Sequence, residues 1–308
     1  MLVIAAPGQG AQTPGFLAPW AEIPAAAAVL ASASEATGLD LVALGTTGDA
    51  ETIRDTAVAQ PLLVAAAVAS ATALGAPETL PVGLWAGHSV GEVAVAALCG
   101  SLSDRDAFTF VSLRGRGMAA AAASPATGMT AILGGDREEI LATLDELGIT
   151  PANDNGPGQI VAAGTLAQLQ ALNENPPAKA RLIPLSVAGA FHTAHMAPAV
   201  PALEELAATL AVADPRQPVL SNADGGAVTS GSELVARLVG QVANPVRWDL
   251  CMSAMSEAGA TGLLELAPGG TLTGIARRAL RGVATFALKT PDQLDDARAF
   301  CAEHGGAS

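Results

Sequence analysis

The sequence predicts an α/β protein with a small subdomain of different strand order set into it, and three observations predict this. Short apolar runs end in glycine-rich turns and lead into alanine- and valine-rich helical stretches. From about residue 128 to residue 187 the elements shorten and follow the order strand, helix, strand, strand, helix, strand. Beyond Pro198 the longer alternation of helix and strand resumes. A chain of 308 residues, half of them hydrophobic, can bury an ample core without disulfides or metals. With aromatics at 3% and no tyrosine, alanine, valine and leucine must build that core.

Taken in order, residues 2–6 are an apolar run stopped by Pro7-Gly8-Gln9-Gly10, the pattern of a buried strand entering a tight loop. Residues 57–74 read as a helix. Residues 81–86 read as a strand, 91–98 as a helix with one charge, Glu92, near its start, and 104–123 as a helix carrying Arg114 and Arg116. The inserted set comprises a strand at 129–133, a helix at 136–147, strands at 150–153 and 159–163 around Asn155-Gly156-Pro157-Gly158, a helix at 166–175 and a strand at 180–187. That βαββαβ order is the ferredoxin-like one. Helices at 202–210, 232–242, 250–258 and 272–279 then alternate with strands at 218–221 and 262–266. The expected division is 1–124 with 189–308 as the larger unit and 125–188 as the smaller.

Composition narrows the partners. A formal charge of −14 repels phosphate backbones and anionic headgroups, so neither nucleic acid nor a membrane surface is expected. Residues 56–77 carry no charge and are long enough to span a bilayer, but Gln60-Pro61 interrupts them and no Lys or Arg cluster flanks them. They are expected to be a buried helix. No Lys or Arg precedes Arg54, unlike a signal or transit peptide, and Cys99, Cys251 and Cys301 are odd in number and far apart. A reducing cytoplasm and, with nothing marking an interface, a monomer are the expectations.

Gly87-His88-Ser89-Val90-Gly91 is a G-x-S-x-G sequence between a predicted strand and a predicted helix, the context a nucleophile elbow requires. The glycines allow a sharp turn that lifts the Ser89 hydroxyl to a helix N-terminus, where free N–H groups and the helix dipole favour an oxyanion. Of the four histidines, His88 adjoins the serine and should point elsewhere, and His304 lies in a polar tail, which leaves His192 and His195 as candidate bases. A metal held by these two lacks a visible third ligand. Arg114 and Arg116, amid Gly115 and Gly117 in a mostly apolar stretch, are candidates for an anion clamp because a guanidinium grips a carboxylate through two parallel hydrogen bonds. A solvated helix face is the alternative.

Together these pieces resemble the malonyl-CoA:acyl carrier protein transacylase family, which includes the acyltransferase domains of polyketide and fatty acid synthases. The resemblance runs through Pro7-Gly8-Gln9-Gly10-Ala11-Gln12, Gln60-Pro61, Gly87 to Glu92, Arg114-Gly115, Asn153 to Gln159 and Phe191-His192. It continues through Gln241 with Asn244-Pro245-Val246 to Pro268-Gly269-Gly270 and Leu272-Thr273-Gly274, nearly the whole chain in order. It implies a hydrolase-like parallel-sheet core with a ferredoxin-like insert. It also implies malonyl transfer from malonyl-CoA to the phosphopantetheine thiol of holo acyl carrier protein through a malonyl-serine. Ser89 would be the nucleophile, His192 the base, the Gln241 carbonyl the orienter of the imidazole, and the Gln9 and Val90 N–H groups the oxyanion hole. Arg114 would clamp the free carboxylate, and Phe191, His88, Gln60 and Asn155 would contact substrate. Many stand-alone members carry a small residue where Phe191 stands, so Phe191 is closer to malonyl-selective synthase domains. No cofactor or metal is implied.

The alternative is an α/β-hydrolase, an esterase or thioesterase, with chain order Ser, acid, His. Asp214, Asp224 or Asp249 followed by His304 could supply it. A non-catalytic carrier-binding protein is a third class, set aside because the full constellation of polar residues is present.

Overall fold

The structure is a computed structural model that describes residues 1–123, 126–187 and 189–306. The unit boundaries expected at 124/125 and 188/189 fall on or beside residues outside that set. Strand β1 (Leu2–Ala6) is followed by helices α1 (Ala18–Ala21), α2 (Pro24–Thr37), α3 (Leu41–Thr47) and α4 (Thr56–Leu74). Then come β2 (Leu84–Gly87), α5 (Gly91–Leu98) and α6 (Asp104–Ala122). The next set is β3 (Thr127–Gly134), α7 (Arg137–Glu146), β4 (Thr150–Asp154), β5 (Gln159–Thr165), α8 (Leu166–Glu174) and β6 (Ala180–Pro184). The remainder is α9 (Val200–Ala207), β7 (Val219–Leu220), β8 (Ala227–Val228), α10 (Gly231–Gln241), β9 (Val246–Arg247), α11 (Trp248–Glu257), β10 (Gly262–Glu265), α12 (Thr271–Ala279), β11 (Ala284–Ala287) and α13 (Leu294–His304).

The larger sheet has the order β11-β10-β1-β2-β7-β8 and is parallel except for the β7–β8 pair. Its central strands are apolar on both faces, as a parallel sheet covered by helices demands. Ala6 of β1 pairs with Gly87 of β2, so the loops after these strands leave the same edge side by side. From β1 the chain passes to β2 on one side and only later to β10 on the other, and such a switch point opens a crevice at the carboxyl ends. The smaller sheet has the order β6-β3-β5-β4, antiparallel throughout, which is the ferredoxin-like arrangement expected from βαββαβ. It also takes in β9, parallel to β4, from far outside the inserted stretch.

Local chemistry explains the elements around the site. Asp55 caps α4 by accepting from the Ala57 N–H at 2.7 Å, and Ser103 caps α6 with Asp104 and Asp106 in its first turn. The helix expected over residues 57–74 is present and buried: α4 runs through Pro61, losing only the one bond its missing N–H could make. Among the described residues α4 alone is long and apolar enough to cross a membrane, and here it packs against α2, α5 and α6. Helices α1 to α3 and the closing β11 and α13 add to the sequence reading. Pro24 at the start of α2, Gly38 in left-handed conformation at its end and Asp40 capping α3 are the local signals for the former. His304 belongs to α13, not to a free tail.

Candidate active site

The turn after β2 holds Ser89 at φ +52°, a left-handed conformation costly for any residue with a Cβ. The neighbouring positions must be glycine. A Cβ on Gly91 would overlap the Ala6 carbonyl of β1, and one on Gly87 would overlap the backbone of Gly91 and Glu92. The turn is pinned by Asn222, whose Oδ1 accepts from the Ser89 N–H at 2.7 Å while its Nδ2 donates to the Gly87 carbonyl at 2.8 Å.

Ser89 Oγ lies 2.6 Å from His192 Nε2, and His192 Nδ1 lies 2.9 Å from the Gln241 carbonyl. A carbonyl can only accept, so Nδ1 carries the proton and Nε2 is left to accept from the serine hydroxyl. His192 is 3% exposed and also left-handed, at φ +60°. Burial, then the nearby Arg114 charge, pushes its pKa down to about 3, so the imidazole is neutral at pH 7. The Val90 N–H opens α5 beside Ser89, and the Gln9 N–H leaves the neighbouring loop after β1. Among the described residues neither has an acceptor.

Arg114 is fully buried. Gly115 lets α6 approach α4 closely, and a Cβ there would lie 3.0 Å from the Thr56 carbonyl. Its Nη1 donates to Gln60 Oε1 and its Nη2 to Gln241 Oε1, both at 2.7 Å, and Nη2 is 3.5 Å from Ser89 Oγ. The guanidinium is therefore held by two neutral amides, and burial lowers its pKa to about 10. Arg116, two residues on, is exposed and bonds Ser112.

A cavity of about 550 Å³ opens between the two sheets over Ser89. Ser89, His192, Gln9, Gln60, His88, Asn155 and Phe191 line it, with apolar walls from Met118, Met129, Val161, Leu272 and Ile275. That volume suits a small-molecule site. His88 points away from His192, as expected: its Nε2 meets Asn155 Oδ1 at 2.8 Å and its ring packs edge-on to Trp248, tying the elbow to the smaller sheet. The structure thus gathers all ten residues singled out from the sequence. It leaves His195 half-exposed in a short turn and His304 at the amino end of β10, 3.1 Å from Thr261 Oγ1, on the sheet edge opposite Ser89. Asp214, Asp224 and Asp249 instead bond the Gly231 N–H, Arg237 and Arg247, so the esterase order of residues is not assembled around Ser89. Sequence reasoning missed Asn222, the side chain of Gln241 and the role of Glu92. The one local trace of Asn222 is a polar pair, Ser221-Asn222, closing a short apolar strand.

The acyl transferase domain family matches residues 5–300 of this chain. The malonyl CoA-acyl carrier protein transacylase of Mycobacterium bovis is 50% identical over 96% of this chain and 99% of its own. Crystalline MCAT from Mycobacterium tuberculosis superposes with a TM-score of 0.93 at 49% identity, covering 97% of this chain and 99% of that one. A malonyl-transacylase solved in complex with its type II PKS acyl-carrier protein gives 0.90 at 33% identity, covering 97% and 99%. The chain belongs to the malonyl CoA-acyl carrier protein transacylase family.

Proposed function

We propose that this enzyme moves the malonyl group from malonyl-CoA to the phosphopantetheine thiol of holo acyl carrier protein through a malonyl-serine at Ser89. One observation carries the reading: a single Oγ lies 2.6 Å from a neutral imidazole and 3.5 Å from a buried guanidinium. His192 Nε2 takes the Ser89 proton as Oγ attacks the thioester carbonyl, and the Gln9 and Val90 N–H groups receive the oxyanion. Collapse of the tetrahedral adduct expels the CoA thiolate, which takes the proton back from His192. The carrier thiol then repeats the steps in reverse order. The remaining N–H bonds of Arg114 and the Gln60 amide receive the free carboxylate, while Phe191, His88 and Asn155 shape the rest of the pocket. Transfer between thiols is nearly thermoneutral, so the demand on the site is to exclude water from the acyl-serine, and the apolar walls serve this.

The chain divides into a catalytic unit, 1–124 with 189–308, and a smaller unit, 125–188. It works as a cytoplasmic monomer that binds neither nucleic acid nor membrane. The decisive test is intact mass after malonyl-CoA alone. Wild type should gain one malonyl group and Ser89→Ala none. Release of free malonate faster than transfer to carrier would instead make it a thioesterase.

A further inference from the structure

Glu92 is a buried carboxyl to which the Ser89–His192 chemistry assigns no step. It lies in the first turn of α5 and is 1% exposed. Its Oε1 accepts from the Asn222 backbone N–H at 2.7 Å and its Oε2 from Gln241 Nε2. The oxygen of that same Gln241 amide accepts from Arg114. Arg114, Gln241 and Glu92 therefore form a chain in which one neutral amide joins a guanidinium to a carboxyl. The other described hydrogen-bond partners of Arg114 are Gln60 and Ser89, both uncharged.

We propose that Glu92 is a positioning residue for acyl choice: in its ionised form it is, through Gln241, the counter-charge of Arg114 before substrate binds, and that form takes up a proton from solvent when an acyl carboxylate reaches Arg114. This rests on the reading of Arg114 as the partner of the malonyl carboxylate. Two carboxylates sharing one buried arginine repel each other, and the malonyl carboxyl is the stronger acid, so Glu92 is the one to protonate. Burial raises the Glu92 carboxyl to about 8, against the pull of Asn222, Gln241, Arg114 on α6 and Arg237 on α10, so both its forms are accessible near neutrality. The other titratable neighbour, Cys251 on α11, is held neutral by burial.

Ser89→Ala protein, which cannot be acylated, separates binding from chemistry. It is titrated calorimetrically with malonyl-CoA and acetyl-CoA at pH 8 and 6.5, each in two buffers of different ionisation enthalpy. At pH 8 malonyl-CoA should take up roughly half a proton more than acetyl-CoA, and at pH 6.5, where Glu92 is already protonated, the difference should vanish. No difference at pH 8 overturns the proposal while leaving the Arg114 reading intact. Malonyl-CoA binding no tighter than acetyl-CoA at either pH removes that reading and the proposal with it. In kinetics, the malonyl-to-acetyl ratio of kcat/KM should fall about fivefold between pH 7 and 9, the part of one pK unit of coupling that this range covers. It should stay flat in Glu92→Gln. An equal fall in that variant assigns the ionisation elsewhere and overturns the proposal, and the calorimetry stands even if the variant does not fold.

Discussion

Burial keeps the His192 imidazole, the base of the proposed reaction, neutral through the ordinary range of pH. Its folded pKa of about 3 lies below the usual 6.5, so protonation disables it only in strong acid. The rate of Ser89 acylation by acetyl-CoA should thus be nearly flat from pH 8 to 5, and an acid limb near 6.5 would show an exposed base instead. His192→Ala should slow acylation by about a hundredfold or more, the scale of a lost general base. Removing one partner of a buried charged pair costs about 3 to 5 kcal/mol. Arg114→Ala should therefore cost malonyl transfer two to three and a half decades while sparing acetyl transfer, read as kcat/KM for both substrates. Phe191 is buried beside His192 in the cavity wall, where we propose that it crowds the carbon between the two malonyl carbonyls. A single methyl is worth only about 1 to 3 kcal/mol, so Phe191→Ser should shift selectivity toward methylmalonyl-CoA by tenfold or more.

At the scale of elements, the strand-turn-helix around Ser89 works because two backbones touch. Helix α5 lies against β1 with no room for a methyl at Gly91, where a Cβ would overlap the Ala6 carbonyl. Gly91→Ala should lower stability by about 1 to 3 kcal/mol, the cost of overpacking, and displace the Val90 N–H. Denaturant unfolding measures the first effect and acylation rate the second. Most elements of this kind were legible in the sequence, because apolar runs between glycines declare both their ends. Helices α1 to α3 were not: α2 is so rich in alanine that its buried face, Ala26, Leu30, Ala33 and Thr37, hardly differs from its exposed one. Strand β9, two residues long, carries too little pattern to be read and exists through its pairing with β4.

For the whole molecule, charge and cavity must be considered together. At −14 the enzyme would repel an acidic carrier, and we propose that docking uses a local basic patch near the cavity mouth. Lys179 and Arg181 are exposed on the smaller sheet, whereas Arg278 lies one turn beyond Ile275 of the cavity wall and bonds Gln159, another wall residue, at 3.1 Å. Arg278→Glu should raise the KM for carrier severalfold, more at low salt, and leave acylation by malonyl-CoA unchanged. Equal loss in both half-reactions would remove this docking role.

The sequence by itself determined the α/β class, the ferredoxin-like insert, the elbow that carries Ser89, and short sets of candidates for the other roles, His192 with His195 and Arg114 with Arg116. Each is encoded within a few neighbouring residues: apolar period, glycine spacing, or a scarce polar side chain in an apolar setting. Only the tertiary structure decided that His192 rather than His195 faces the serine, that Gln60 and Gln241 hold Arg114, and that Asn222 and Glu92 brace them. Those contacts join residues separated by up to 152 positions, as from Gln241 to the Ser89 carbonyl. Their geometry depends on which strand ends the parallel sheet brings side by side, and no local stretch of sequence carries that information.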